Sequence, residues 1–218
     1  MLKIAAQDDV NIVLDLDEVL CEQVRRVHEA AVTRNLGDAW KITPKSYLTL
    51  KYHEWWNVTP LVAHEFVLDY LGNRSRELQP VRGAKESLNR IKEFGRQRGK
   101  RVKYHVLTSR SILLQQATVD QLDYRFPGMF ETVILTGHAE PKPPERSKLY
   151  WYRELGGDVI VDDGLENVQQ CVQGFGGLGI VFGDYAWNRP VAGEVLVPGV
   201  HRRTSWAATE QLILDTLF

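Results

Sequence analysis

Two aspartates, Asp15 and Asp17, follow a short apolar run near the beginning of the chain. The run, residues 12–14, is too short for a helix and predicts a buried strand. Side chains two residues apart in a strand point to the same side, so we expect the two carboxylates to lie close together. Carboxylates this close resist joint ionisation and usually share a proton or bind a cation. Mg²⁺ suits them because it favours oxygen ligands, but aspartates are also common in a solvated turn after a strand.

Two further apolar runs, residues 102–107 and 159–161, also predict strands that end in polar side chains. These side chains are Thr108 and Ser109 after the first run, and Asp162 and Asp163 after the second. Predicted strands alternate with predicted helices along the chain, which indicates an α/β fold: a Rossmann-like, mostly parallel sheet with helices on both faces. Ligands of such sheets bind at the carboxyl ends of the strands. The three polar strand ends should therefore meet at one site.

Carboxylates gathered around one point, with a hydroxyl and a cation nearby, suit phosphoryl transfer. Asp15 could attack phosphorus as a nucleophile, and Asp17 could donate a proton to the leaving group and later accept one from water. The Thr108 hydroxyl and backbone N–H groups could hold the phosphate oxygens, and a lysine could add a second positive charge.

The overall composition limits the possible partners of the chain. Its 218 residues suit one domain with a substantial core, or one domain that carries an insertion. Lys and Arg number 27 against 28 for Asp and Glu, so no bulk charge attracts the protein to nucleic acid or to a membrane. No segment approaches the ~18 apolar residues of a membrane span. We expect a cytoplasmic monomer or homodimer that acts on a small phosphorylated substrate.

The polar strand ends resemble the motifs of a known family. The sequence DLDEV at residues 15–19 is similar to the first motif, D-x-D-x-[T/V], of the haloacid dehalogenase superfamily of phosphohydrolases. Residues 106–110 resemble its second motif, and the double aspartate at 162–163 resembles one form of its fourth. The three occur in the family's order, which is specific although each alone is weak. Residues 80–84, 185–189 and 203–206 look most like 5'-nucleotidases of the deoxyribonucleotidase group.

This resemblance implies roles for individual residues. Asp15 would be the nucleophile and Asp17 the general acid and base. Mg²⁺ would be held by the Asp15 carboxylate, the Asp17 backbone carbonyl and one of the final pair, with Asp163 preferred as the direct ligand and Asp162 as its support. Thr108, Ser109 and Lys148 would bind the phosphate.

Two positions depart from the common pattern of the family. The phosphate-binding lysine of the family could be either of two residues. Lys148 has the spacing that this lysine has in double-aspartate members, whereas Lys142 has the local sequence that it has in other branches. We choose Lys148. Many relatives have glycine where this chain has Glu18, so an additional carboxylate is expected near the phosphate entrance.

The resemblance also assigns the segment between the first and second motifs to a small, mainly helical cap that closes over the site. The predicted domains are an α/β core of residues 1–20 and 81–218 and a cap of residues 21–80. Aromatic side chains are frequent in the cap. Trp55 and Trp56 could stack with Tyr52 on a nucleobase, or they could form the small core of the cap itself.

The sequence therefore predicts a Mg²⁺-dependent phosphatase that acts on a nucleoside monophosphate or a similar small ester through an aspartyl-phosphate. One alternative is a phosphatase of polynucleotide ends, which the net charge of −1 disfavours. Another is a non-catalytic binding or regulatory protein with the same fold, which the presence of Asp17 disfavours.

Overall fold

The structure is a computed structural model that describes residues 9–41, 51–137, 146–191 and 193–218. Lys142, the alternative phosphate-binding lysine, lies outside the described residues. Lys148 lies within them.

A six-stranded sheet forms the centre of the molecule. Its strands are β1 (Asp9–Leu14), β2 (Arg101–Thr108), β3 (Phe130–Leu135), β4 (Val159–Asp162), β5 (Leu178–Phe182) and β6 (Val200–Arg203). Their order is β3-β2-β1-β4-β5-β6, and every neighbouring pair is parallel. All residues of β4 and β5 are buried, as expected for strands with helices on both faces. The predicted Rossmann-like α/β fold is confirmed.

The described part of the chain contains eight α-helices. They are α1 (Val24–Thr33), α2 (Tyr52–Trp56), α3 (Pro60–Arg74), α4 (Ala84–Gln97), α5 (Gln115–Arg125), α6 (Lys148–Glu154), α7 (Leu165–Phe175) and α8 (Trp206–Leu217). The alternation along β1 shows how both faces are covered. Ile12 and Leu14 belong to a hydrophobic cluster with residues of α4 and α8, whereas Val13 belongs to a cluster with residues of α6 and α7.

Helices α1 to α3 lie between β1 and α4 in the chain and form the cap. The predicted helical insertion after the first strand is thus confirmed, while its boundaries at residues 21 and 80 stay a prediction. Helix α1 begins at Val24 and not directly after β1. Glu18 has a φ of +61°, a left-handed conformation that is incompatible with the first turn of an α-helix.

The strand order brings the predicted strand ends together. β1 pairs with β2 on one side and with β4 on the other, so the topological switch point lies at β1, where ligands of such sheets bind. The carboxyl ends of β1, β2 and β4 are therefore neighbours at one edge of the sheet.

A tryptophan of α8 holds the loop that follows β1. Trp206 is fully buried and packs against Phe182 of β5 with ring centroids 5.5 Å apart. Its Nε1 donates a hydrogen bond to the Val19 carbonyl at 2.8 Å. This bond links the last helix of the chain to the loop that carries Asp15 and Asp17.

Trp206→Phe is expected to lower the free energy of unfolding by about 1–3 kcal/mol, because the Val19 carbonyl stays buried without its donor. Urea unfolding followed by circular dichroism measures the change. Trp40→Phe is the control, since Trp40 is 60% exposed and its replacement should change stability by less than about 0.5 kcal/mol. Equal stability of Trp206→Phe and the wild type would contradict a role for this bond.

Candidate active site

Three buried carboxylates meet at the switch point of the sheet. Asp15 follows β1, Asp162 ends β4, and Asp163 comes next in the chain. One carboxylate oxygen from each residue lies within 4.8 Å of the other two. The Asp15 N–H donates to the Val161 carbonyl at 2.8 Å, which fixes the end of β1 against β4. The convergence expected from the sequence is present in the structure.

Lys148 is the cation at the centre of this group. It is the first residue of α6, whose beginning is capped by the Ser147 hydroxyl. Its Nζ donates to Asp15 Oδ1 at 2.7 Å and to Asp162 Oδ2 at 2.6 Å. With all three carboxylates ionised, the group would carry three negative charges against one positive charge.

Asp162 and Asp163 have different partners. Asp162 Oδ1 accepts hydrogen bonds from the Gly164 N–H at 2.7 Å and from Asn167 Nδ2 at 3.1 Å, and Oδ2 accepts from Lys148. Within the described residues, the Asp163 side chain accepts a single hydrogen bond, from Trp187 Nε1 to Oδ2 at 2.7 Å. Both oxygens of Asp162 are therefore occupied, whereas Asp163 Oδ1 remains available.

Asp17 is held by a forked ion pair with Arg110. Arg110 Nε lies 3.0 Å from Asp17 Oδ2, and Nη2 lies 2.6 Å from Oδ1. Arg110 Nη1 donates to Thr118 and Gln121 of α5, which fixes the guanidinium from behind. In the amide orientation that satisfies its partners, Gln23 also donates to both Asp17 oxygens at 2.6 Å. No role for Arg110 followed from the sequence, although its position two residues after Thr108 at the end of a predicted strand is a usable signal.

Thr108 and Ser109 extend the site from the end of β2. Thr108 is almost fully buried, and its Oγ1 accepts a hydrogen bond from the Arg110 N–H at 3.4 Å. Both residues line the same cavity as Asp15, Asp163 and Lys148. The structure thus brings together all the residues predicted for catalysis, phosphate binding and metal binding.

This cavity, of about 470 Å³, lies between the cap and the carboxyl ends of the strands. The carboxylates and Lys148 form its polar side. Across from them, α3 contributes five apolar side chains, which are Pro60, Ala63, Val67, Leu68 and Leu71. A cavity of this size fits a small molecule, and its two unlike sides fit a phosphate ester with an apolar organic part.

Comparison with known families places the chain in one of them. The family described as "5' nucleotidase, deoxy (Pyrimidine), cytosolic type C protein" matches residues 8–217. The chain belongs to this family. It is a haloacid dehalogenase-type phosphatase that resembles 5'-nucleotidases. No curated protein matches the chain with significance.

Solved structures of other proteins have the same fold. A haloacid dehalogenase family hydrolase from Deinococcus radiodurans R1, with bound phosphate and sodium, is 14% identical, with a TM-score of 0.59 and 96% of each chain covered. The D,D-heptose 1,7-bisphosphate phosphatase from B. bronchiseptica, in complex with magnesium and phosphate, is 13% identical, with a TM-score of 0.56. That match covers 94% of this chain and 98% of the other. None of the described helices has the length and apolar character needed to cross a membrane.

The electrostatics of the phosphatase site favour an added cation. Burial raises the pKa of Asp15, the ion pair with Lys148 lowers it, and repulsion from Asp162 raises it again, so that it lies above its ordinary value. Burial, with repulsion from Asp162 and Asp15, also raises the pKa of Asp163 well above the ordinary value. Burial lowers the pKa of Lys148, but its two carboxylate partners outweigh this and raise it. A cation bound by these oxygens would stabilise the ionised carboxylates, and carboxylate ligands fit Mg²⁺.

Glu18 of the phosphatase has a structural role that the sequence did not indicate. Its Oε1 accepts hydrogen bonds from the N–H groups of Gln23 at 2.8 Å and Val24 at 2.6 Å, so it caps the beginning of α1. The left-handed backbone of Glu18 explains why glycine suits this position in relatives. Glu18 contributes to the cavity wall, but its carboxylate is directed to the helix rather than left unpaired at the phosphate entrance.

Trp55 and Trp56 of the phosphatase lie in the core of the cap. Both are buried, and Trp56 packs against Phe66 and donates from Nε1 to His28 Nδ1 at 3.2 Å. Neither is among the residues that line the cavity, whereas Tyr52 is. The two tryptophans thus form the core of the cap and do not offer a surface to a nucleobase in the cavity. Of the three aromatic residues considered, Tyr52 is the one that lines the cavity.

Arg110→Lys is expected to lower kcat on the order of 10²-fold with little change in KM, because lysine cannot form the fork that positions Asp17. Steady-state kinetics on the best phosphate ester measures both constants. Arg90→Lys is a matched control, since Arg90 forms a similar fork with Glu210 outside the cavity. Unchanged kcat in Arg110→Lys would contradict the positioning role.

Proposed function

We propose that this phosphatase hydrolyses a (deoxy)nucleoside monophosphate with the help of Mg²⁺, through an aspartyl-phosphate on Asp15. The observation that carries the proposal is the buried group of Asp15, Asp162 and Asp163 around Lys148, at the polar side of a cavity covered by the cap. Such a group has the charge and the ligands to bind a phosphate together with a cation.

The first step forms the phosphorylated enzyme. An Asp15 carboxylate oxygen attacks phosphorus, and the bond between phosphorus and the ester oxygen breaks. Asp17 gives its proton to the departing alkoxide. Lys148 and the hydroxyl groups of Thr108 and Ser109 hold the remaining phosphate oxygens through hydrogen bonds.

The second step releases inorganic phosphate. Asp17, now a carboxylate, takes a proton from a water molecule, whose oxygen attacks phosphorus. The bond between phosphorus and Asp15 breaks, and the Asp15 carboxylate is restored. The forked pair with Arg110 holds the Asp17 carboxylate in position for this transfer.

The residues that would hold Mg²⁺ are Asp15 through its carboxylate, Asp17 through its backbone carbonyl and Asp163 through its carboxylate. Among the described residues, Asp163 Oδ1 has no hydrogen-bond partner, which supports Asp163 as the direct ligand, and the three contacts of Asp162 support its choice as the residue that orients Lys148. When bound, the ion offsets the negative charge of the phosphate and of the carboxylates.

Two observations support a nucleotide as the substrate. The family is described as a deoxy (pyrimidine) 5'-nucleotidase. The apolar side chains of α3 and the ring of Tyr52 offer a surface for the face of a nucleobase on the side of the cavity opposite the carboxylates.

We propose further that the core comprises residues 1–20 and 81–218 and the cap residues 21–80.

We also propose that the protein works in the cytoplasm as a monomer or homodimer, without membrane or nucleic-acid partners. The family's description as cytosolic supports the location, and the net charge of −1 supports the absence of nucleic-acid partners. Light scattering after size-exclusion chromatography measures the number of subunits.

Among mononucleotides, sugar phosphates and 5'- or 3'-phosphorylated oligonucleotides, we expect mononucleotides to be hydrolysed with the highest kcat/KM. Phosphate release, measured with Mg²⁺ and with excess chelator, tests substrate and cation together. Release should fall to background with the chelator. Faster hydrolysis of oligonucleotide ends would instead favour a polynucleotide phosphatase, and no release from any compound would favour a binding protein.

Asp15→Asn is expected to lower kcat more than about 10³-fold because the amide cannot act as the nucleophile. Its circular dichroism spectrum should match that of the wild type. Asp184→Asn is the control, because Asp184 is exposed and pairs only with Arg189 in the described residues, and its kcat should be unchanged. Substantial turnover by Asp15→Asn would overturn the nucleophile assignment.

Mg²⁺ is expected to stabilise the folded protein in the absence of substrate. At 100 times its Kd, a ligand that binds only the folded state adds about 2.7 kcal/mol to the free energy of unfolding. Thermal unfolding with MgCl₂, compared with NaCl at equal ionic strength, measures this effect. Asp163→Asn should remove most of it, and an equal shift with NaCl would contradict a specific site.

A further inference from the structure

The loop after β5 makes direct contacts with the proposed metal ligand. Trp187 Nε1 donates to Asp163 Oδ2 at 2.7 Å. Asn188, the next residue, donates from Nδ2 to the Asp163 backbone carbonyl at 3.0 Å and to the Phe182 carbonyl at 2.8 Å. The side chain and the backbone of Asp163 are thus both held by the same short loop.

The loop is itself fixed by three further contacts. The rings of Tyr185 and Trp187 are stacked, with centroids 4.9 Å apart and planes 9° from parallel. Asn188 Oδ1 accepts a hydrogen bond from the Tyr185 N–H at 3.0 Å. The Tyr185 hydroxyl donates to the Glu18 carbonyl at 2.6 Å. The indole of Trp187 is therefore held in place before any ligand binds.

We propose that Trp187 is a positioning residue that orients Asp163 for cation binding. Its N–H occupies Oδ2 and so leaves Oδ1 for the ion that Asp163 would share with Asp15. This inference rests on the proposed function, because it assumes a cation at the carboxylate group. It goes beyond that function by assigning the orientation of the ligand to a residue that contacts neither the substrate nor the ion.

The chemistry of the indole explains why it suits this position. Indole N–H is a donor only, carries no charge and does not titrate. It can fix a carboxylate without neutralising it and without competing as a ligand. Lys148 acts differently on Asp162, because its ammonium neutralises the carboxylate that it binds. The neutral partner leaves the charge of Asp163 available to a cation, whereas both oxygens of Asp162 already accept hydrogen bonds.

The test is the affinity of the full-length protein for Mg²⁺, measured by isothermal titration calorimetry without substrate. Trp187→Phe keeps a ring that can stack on Tyr185 but removes the N–H. We expect it to weaken Mg²⁺ binding by about 10–100-fold, the usual effect of losing a partner that orients a metal ligand. Trp40→Phe is the control, because Trp40 is exposed and lies outside the cavity, and it should bind Mg²⁺ like the wild type. Equal Kd values for Trp187→Phe and the wild type would overturn the inference.

A second measurement needs no variant at this position. In a ¹⁵N spectrum of the wild-type protein, the indole N–H signals of the tryptophans are observed directly during a Mg²⁺ titration. The Trp187 signal should shift with the Kd found by calorimetry, while the signal of exposed Trp40, assigned through Trp40→Phe, should not. If no indole signal responds to Mg²⁺, the inference is wrong. If Mg²⁺ binds as expected but no phosphate ester is hydrolysed, the proposed function fails and the inference stands.

Discussion

The central constraint on this structure is that the sheet holds three carboxylates, which repel one another, in one buried place. Asp15, Asp162 and Asp163 cannot separate, because β1 and β4 are paired and the Asp15 N–H is bonded to the neighbouring strand. Removing charges from water costs several kcal/mol per ion, and Lys148 compensates only part of this cost. The fully buried strands β4 and β5 and the hydrophobic clusters on both faces of the sheet supply the stability that lets the group persist.

The acidic residues of the site are distinguished by their partners. Asp17 is bound by a guanidinium, Asp162 by an ammonium and Asp163 by a neutral indole. Glu18 is bound by backbone N–H groups at a helix beginning. Although their chemistry is the same, these carboxylates therefore differ in whether a positively charged partner offsets their charge. Within the described residues, they also differ in how many of their oxygen atoms accept a hydrogen bond. These differences fit separate roles in proton transfer, lysine orientation, metal binding and anchoring of the cap.

Much of the fold could be predicted from the sequence because its central strands are short apolar runs that end in polar residues. The positions of Asp15, Thr108 and Asp162 at strand ends followed from that pattern. Edge strand β6 was missed, because Val200–Arg203 contains one apolar residue and three basic ones. Helix α2 was missed because five residues, Tyr52–Trp56, give no helical periodicity.

The partners of the site residues were harder to predict. Arg110 lies close to Thr108 in the sequence, but its fork on Asp17 depends on α5, which holds it from the other side. Trp187 lies 24 residues after Asp163 in a loop without periodicity. Nothing in local sequence spacing indicates which tryptophans form a core, as Trp56 does, and which donate to a carboxylate.

The most direct test of the central claim is to trap phosphate on the protein. The enzyme is mixed with a ³²P-labelled substrate and Mg²⁺, quenched with acid within one turnover, and digested into peptides. The account predicts a label that hydroxylamine removes, carried by the peptide that contains Asp15 and absent from Asp15→Asn. Hydrolysis without any covalent label, or a label on another residue, would contradict it.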